Sequence, residues 1–251
     1  MTDAVKKAQA NTRLAWIAGV GASAGLGAAL ARRFAREGVS VAVTGRSRER
    51  LETVVAEIAR AGGHAVALPG DVTSESELAA IVRQLAEHGT LAVAIFNAAG
   101  GTRAPTLELT AEQFEAAWRV TTLGGFLFAR AALGPLLAAG RGSLLFTGAT
   151  ASLRGRPPFA AFASAKAGLR SLAQSLAREF GPRNIHVAHV VVDGGIDGER
   201  LRTSAPQRVA ERGPDGLLDP EEIADAYWHL HQQGRTAWSQ EIDLRPFNET
   251  F

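Results

Sequence analysis

The sequence predicts one α/β domain: a doubly wound fold with a seven-stranded parallel sheet and helices on both faces. Three observations carry this expectation. Short apolar runs alternate with longer Ala, Leu and Arg segments whose apolar residues fall three and four apart, the spacing of one helix face. The short runs are apolar almost throughout, as in strands covered on both sides, rather than at every second residue. With 251 residues, 46% hydrophobic and 21% charged, the chain is long enough for one sizeable core and polar enough to be globular.

The strands expected are residues 14–20 (LAWIAGV), 40–44 (SVAVT), 64–69 (HAVALP), 91–97 (LAVAIFN), 142–148 (GSLLFTG), 185–192 (IHVAHVVV) and 241–245 (EIDLR). Helical spacing fills the intervals, as in LGAALARRFAREG over residues 26–38. Ser74 with Glu77, Thr110 with Gln113, and Asp219 with Glu222 have capping-box spacing, and Pro220 suits a first helical position. Long helices are expected over residues 111–137 and 157–180. Residues 1–12 read as a polar disordered tail and residues 13–251 as a single domain, with no internal repeat or low-complexity linker.

Composition removes several classes of function. Without cysteine there is no disulfide, thiolate metal site or cysteine nucleophile, which fits a cytoplasmic protein. A net charge of +2, with arginines scattered along helices, gives no basic stripe for nucleic acid. Apolar runs such as VAHVVV are far shorter than the roughly 20 residues that cross a bilayer, and MTDAVKKAQANTR has no secretory apolar stretch. His186 and His189, three apart in a strand, point to opposite faces, and His229 and His231 do not share a helical face, so no metal site is expected. No Gly-x-Ser-x-Gly elbow follows a strand.

Between the first strand and the first helix stand Gly21, Gly25 and Gly27, with Ser23, Ala24 and Leu26 among them. Glycine there permits a tight turn and lets a phosphate approach main-chain N–H groups at a helix N-terminus, although tight packing also calls for glycine. The spacing is GxxxGxG rather than the GxGxxG of the usual dinucleotide turn. The second strand ends at Gly45 and Arg46, where an acidic residue would hold a free adenosine ribose. Gly45 leaves space and Arg46 suits a 2′-phosphate, which favours NADP(H) over NAD(H), unless Arg46 is one more solvated arginine.

From residue 14 to 245 this order of elements resembles the short-chain dehydrogenase/reductase family, with its Rossmann sheet. VGASAGLG looks like the family's cofactor turn. GDVTS is similar to its Asp-Val element, which implies Asp71 on the adenine amino group and Val72 beside the ring. FNAAGG resembles its Asn-Ala-Gly motif, with Asn97 supporting the sheet and Ala98, Ala99 and Gly100 along the cofactor. FASAK stands where the family has Tyr-x-x-x-Lys, so the resemblance assigns Lys166 to the nicotinamide ribose. Gly194 and Ile196 keep places in its Pro-Gly element, whereas Asp193 replaces proline and Gly198 a frequent threonine.

The departures concern proton handling. Phe162 occupies the family's tyrosine position, Ala149 its serine and Thr122 its asparagine. Only Lys166 remains of four catalytic groups, and it is one of three lysines, with Lys6 and Lys7, among 27 basic residues. Phenylalanine donates no proton. Thr147, Thr150, Ser152 and Ser164 are nearby hydroxyls that also suit local backbone bonds. Asp193, if partly buried, is a candidate acid or partner of a cationic substrate, and otherwise a turn residue like Asp197. Tyr227, the only tyrosine, lies far from the motif and reads as core or interface.

Three functions remain open at this point. The leading one is an atypical NADP(H)-dependent oxidoreductase acting on a small carbonyl, imine or enone. The second is a non-catalytic NADP(H)-binding sensor or partner subunit. The third is elimination or isomerisation in the same pocket. The resemblance also implies a homodimer or homotetramer formed through the two long helices.

Overall fold

The computed structural model describes residues 12–250, so the expected tail, with Lys6 and Lys7, lies outside the described residues save for Thr12. Seven strands form one parallel sheet in the order β3-β2-β1-β4-β5-β6-β7. They are β1 (Arg13–Ala18), β2 (Ser40–Thr44), β3 (Ala65–Ala67), β4 (Thr90–Phe96), β5 (Gly142–Thr147), β6 (Ile185–Val192) and β7 (Glu241–Leu244). All seven expected strands form: β2 and β6 with the expected bounds, β1 and β4 starting one residue earlier, β3 reduced to three residues, and β1, β4, β5 and β7 ending one or two residues sooner.

Helices cross between consecutive strands: α1 (Leu26–Arg36), α2 (Arg48–Arg60), α3 (Glu75–Leu85), α4 (Ala111–Trp118), α5 (Gly124–Ala138) and α6 (Ala160–Phe180). After β6 come two short helices, α7 (Glu199–Ser204) and α8 (Pro206–Arg212), then α9 (Pro220–Gln232). The caps follow the chemistry of the sequence. Ser74 Oγ accepts from Glu77 N, and Thr110 and Gln113 form a reciprocal box at 3.2 and 3.1 Å. Asp219 departs from expectation: it accepts from Glu221 N at 2.8 Å, one residue short of the capping-box partner, with Pro220 at the first position.

Alternation along β1 divides the core. Ala15 and Ile17 face one cluster, with Leu30, Phe34 and Tyr227 from α1 and α9. Leu14, Trp16 and Ala18 face the other, with Phe128 from α5 and Leu169 from α6. Strands buried on both faces need apolar residues at every position, which is why the expected runs showed no alternation.

Residues 111–138 differ from the single helix expected: the π-helical turn Arg119–Leu123 joins α4 to α5. An 18-residue window of this 28-residue stretch has a mean hydropathy of 1.4, sufficient by length and composition to cross a bilayer, but Phe128, Ala132 and Leu136 are buried against the sheet. Strand order reverses between β1 and β4, and the carboxyl ends of parallel strands flank an open crevice at such a point.

Candidate functional site

The loops after β1, β2, β4, β5 and β6 all leave the same edge of the sheet, because the strands are parallel. The turn after β1 is fixed by backbone contact. Gly19 has φ +88°, and a Cβ on it would strike the backbone of Asn97 and Ala98. Asn97 ties the two loops together, donating from Nδ2 to Gly19 O at 3.1 Å and from its backbone N–H to Ala18 O at 2.9 Å. Gly25 precedes α1, whose first turn has no side-chain cap. Its N–H groups suit an anion. Nothing lies within 4 Å of the Cβ position of Gly21, whereas a Cβ on Gly27 would stand 2.7 Å from Gly19 O.

Other expected contacts are placed differently. The Ser23 hydroxyl donates to Glu57 at 2.6 Å, and Leu26 is buried in the core. Ala24 is exposed, its carbonyl facing Gly198. Gly45 has a reason the sequence did not reveal: its Cβ would collide with the Val20 carbonyl, so a side chain is excluded by backbone contact. Arg46 is exposed and lines one pocket with Pro69, Gly70, Asp71 and Glu77. Asp71 Oδ1 accepts from Thr73 N and Oγ1 at 2.8 and 2.7 Å. Val72 is buried in the core and approaches Gly124.

Of the two threonines in the π-helical turn, Thr121 meets the loop after β4. Its Oγ1 accepts from Gly100 N at 3.1 Å. Thr122 turns to α6 and donates to Ala165 O at 2.8 Å, so the position proposed for the family's asparagine points away from that loop. Phe162 and Lys166 share a face of α6 as their spacing requires, with Lys166 Nζ 5.8 Å from the Phe162 ring centroid. The ring lies against Gly101, where a Cβ would come within 2.9 Å.

Lys166 is 3% exposed, and its ammonium donates to Thr147 O at 2.7 Å. Burial of the ammonium, helped by the nearby positive charge of Arg200, lowers its pKa from 10.5 to about 7. The Thr147 hydroxyl bonds to Tyr227 OH at 2.7 Å, on the opposite face of the sheet from Lys166. Tyr227 is fully buried, which raises its pKa, and it belongs to the core.

At the other side of the cleft, Ala149 N donates to Ser152 Oγ at 3.1 Å, and Ser164 bonds its own helix at Ala160 O. Asp193 is completely buried. Its Oδ1 accepts from Thr150 Oγ1 at 2.5 Å and its Oδ2 from Arg154 at 3.3 Å, with Arg245 at 3.6 Å. The segment beyond is pinned. Gly194 (φ +155°) abuts Pro246, Ile196 bridges Leu218, and Asp197 pairs with Arg202 at 2.7 Å.

Arg154, Arg200 and Arg245 were missed by sequence reasoning, and no local signal distinguishes them among so many arginines. Nor did the sequence show that the segment after β7 folds back on its own chain, with Glu249 on Arg212 at 2.7 Å. His186 stacks on Trp238 and His189 pairs with Glu241 at 2.9 Å. Among the described residues no group of three His, Asp or Glu side chains could hold a metal.

Comparison with known proteins bears on the chain as a whole. A family model described as short chain dehydrogenase matches residues 15–209. Oxidoreductase asL5 of Sarocladium schorii is 32% identical, over 81% of this chain and 82% of its own. The crystal structure of a short-chain dehydrogenase from Rhodopseudomonas palustris is 39% identical and covers 94% of this chain and 99% of its own, with a TM-score of 0.79. A metagenomic short-chain oxidoreductase in complex with NADP is 27% identical over 93% of this chain and 96% of its own, with a TM-score of 0.77.

Proposed function

This chain belongs to the short-chain dehydrogenase family, and on that premise we propose that it is an atypical NADP(H)-dependent oxidoreductase. One observation carries the reading: a buried Lys166 donates to Thr147 O at the carboxyl end of β5, while the ring four residues before it is Phe162. The lysine suits ribose hydroxyls as a compact donor, and the phenyl ring walls the pocket without transferring a proton.

When bound, the reduced cofactor would donate hydride to a small carbonyl, imine or enone compound, and the oxidised cofactor would accept it in the reverse direction. Arg46 and Asp71 share one pocket, which supports a 2′-phosphate beside the adenine and so NADP(H) over NAD(H). The neighbour in complex with NADP supports the same preference. Thr150 commits its proton to Asp193, so its oxygen is left to accept from a substrate N–H or O–H. An iminium substrate arrives already protonated and needs only hydride, which fits a pocket without the tyrosine. Phe114 and Trp118 on α4 and Phe126 on α5 are exposed, which supports assembly as a homodimer or homotetramer. The lack of cysteine supports residence in the cytoplasm.

Paired NADPH and NADH titrations followed by a 4-deuterated NADPH screen test this reading. Tighter NADPH binding and label in an imine, ketone or enone product are expected. Saturable binding with no transfer to any class would favour the second reading, a nucleotide-binding sensor or partner subunit. That reading draws on the commitment of the Thr147 and Thr150 hydroxyls to other protein groups.

A further inference from the structure

One buried carboxylate, between the ends of β5 and β6, holds a hydroxyl and a guanidinium together. Asp193 is completely buried just after β6, and Thr150 opens the 3-10 turn that follows β5. These strands are neighbours in the sheet, so both groups stand at its carboxyl edge, just beyond the Thr147 carbonyl that receives Lys166. Thr150 Oγ1 donates to Asp193 Oδ1 at 2.5 Å and so offers only lone pairs to a ligand. Arg154 Nη2 donates to Asp193 Oδ2 at 3.3 Å, and Arg154 N bonds Thr150 O at 3.1 Å, which sets guanidinium and hydroxyl in one turn.

This contact does not exhaust Arg154. Its Nε is shut off from water and has no acceptor among the described residues, while the side chain as a whole is 30% exposed. A shielded N–H of a cation is costly without an acceptor, and a carboxylate is the acceptor a guanidinium takes best. Asp193 has little more to give, because Oδ1 serves Thr150 and Oδ2 also faces Arg245 at 3.6 Å. A ligand that satisfies both groups therefore brings an anion to Arg154 and an N–H to Thr150. Both groups rest on one carboxylate, so they suit a ligand whose anion and N–H stand on adjacent carbons. A 2-imino acid has that pattern. A 2-oxo acid instead sets an acceptor against an oxygen that can only accept.

We propose that the substrate is a 2-imino acid, its carboxylate on Arg154 and its N–H on Thr150 Oγ1. The inference rests on the NADP(H)-dependent oxidoreductase reading and narrows its substrate. The iminium carbon takes hydride from the reduced nicotinamide, the C=N electron pair becomes the lone pair of the amine, and the nicotinamide is left oxidised. No proton is asked of the protein, which agrees with a phenylalanine at position 162.

Calorimetry on the whole protein saturated with NADP+ tests the assignment with 1-piperideine-2-carboxylate, its methyl ester and 2-oxohexanoate. The imino acid should bind about tenfold or more tightly than the ester and the oxo acid, the scale of one charge-assisted contact. It should also take deuterium from 4-deuterated NADPH at its imine carbon. Arg154→Gln should weaken the imino acid by about tenfold and leave the ester within about twofold, whereas Arg154→Lys should keep part of the preference. Thr150→Val should bring the imino acid within about twofold of the oxo acid. Glutamine can still donate to Asp193, so Arg154→Gln should melt as the wild type does, and the acid–ester comparison needs no variant. Equal affinity for acid and ester, a preference that survives either Arg154→Gln or Thr150→Val, or binding without transfer of label overturns the assignment while NADP+ binding stands. A protein that binds no NADP+ defeats the NADP(H) reading itself, and the assignment with it.

Discussion

Lys166 should titrate near neutrality in the nucleotide-free protein. Its ammonium is removed from water, it donates to a neutral carbonyl, and Arg200 adds a like charge. A fall from 10.5 to about 7 corresponds to about 5 kcal/mol at about 1.4 kcal/mol per tenfold change. The folded value lies below the unfolded one, so between these limits the unfolded chain holds one more proton. Stability should therefore rise with pH across this window and be lost as pH falls through 7. From pH 7 to about 9.5 the gain is roughly 3 kcal/mol by the same linkage.

Two measurements follow. The chain has only three lysines, so 13Cε-lysine spectra should isolate the Lys166 resonance and give its midpoint directly. Urea unfolding of wild type against Lys166→Met should show the pH-dependent gain only in the wild type. A Lys166 midpoint above about 9.5, or parallel pH profiles for the two proteins, would refute the reasoning. NADP+ should raise the midpoint, because an added anion favours the charged form.

Other perturbations probe the same edge. Asp193→Asn should cost about 1.5–3 kcal/mol in urea unfolding, the scale of a hydrogen bond to a charged group, since Arg154 is part-exposed and Arg245 keeps Asp243. Arg46→Ala should weaken NADP+ by about 10- to 100-fold and NAD+ by less than twofold in titrations, the scale of one charge-assisted contact of about 1.5–3 kcal/mol. Acid should unfold the protein between pH 6.5 and 4: burial lowers the pKa of His189 to about 4 despite its bond to Glu241, so the unfolded chain takes up its proton first. The urea midpoint should fall steadily over that window, and fall less in His189→Gln.

Much of the fold was legible because its signals are local. The apolar runs that became β1 to β7 need no partner to be recognised, and Thr110 with Gln113 carries a complete cap within four residues. The break at Arg119–Leu123 was not legible, because RVTTL has no proline or glycine to announce it. The site was legible where glycine spacing and the Phe162–Lys166 interval imply geometry. It was not legible where the partner is remote. Asp193 meets Thr150 and Arg154, 43 and 39 residues earlier, and Arg245 near the chain's end.

The sequence by itself determined which residue types are available at the edge: a phenylalanine four residues before a lysine, alanine where a hydroxyl is expected, and an arginine beyond β2. These are identities and short intervals, and helix geometry converts them into a shared face. Only the tertiary structure decided which charges are spent. It buries Asp193 among arginines, turns the Thr147 hydroxyl to Tyr227, and sets the Lys166 ammonium on a neutral carbonyl. Ion pairing and desolvation depend on distances between segments far apart in the chain, and no local pattern encodes them.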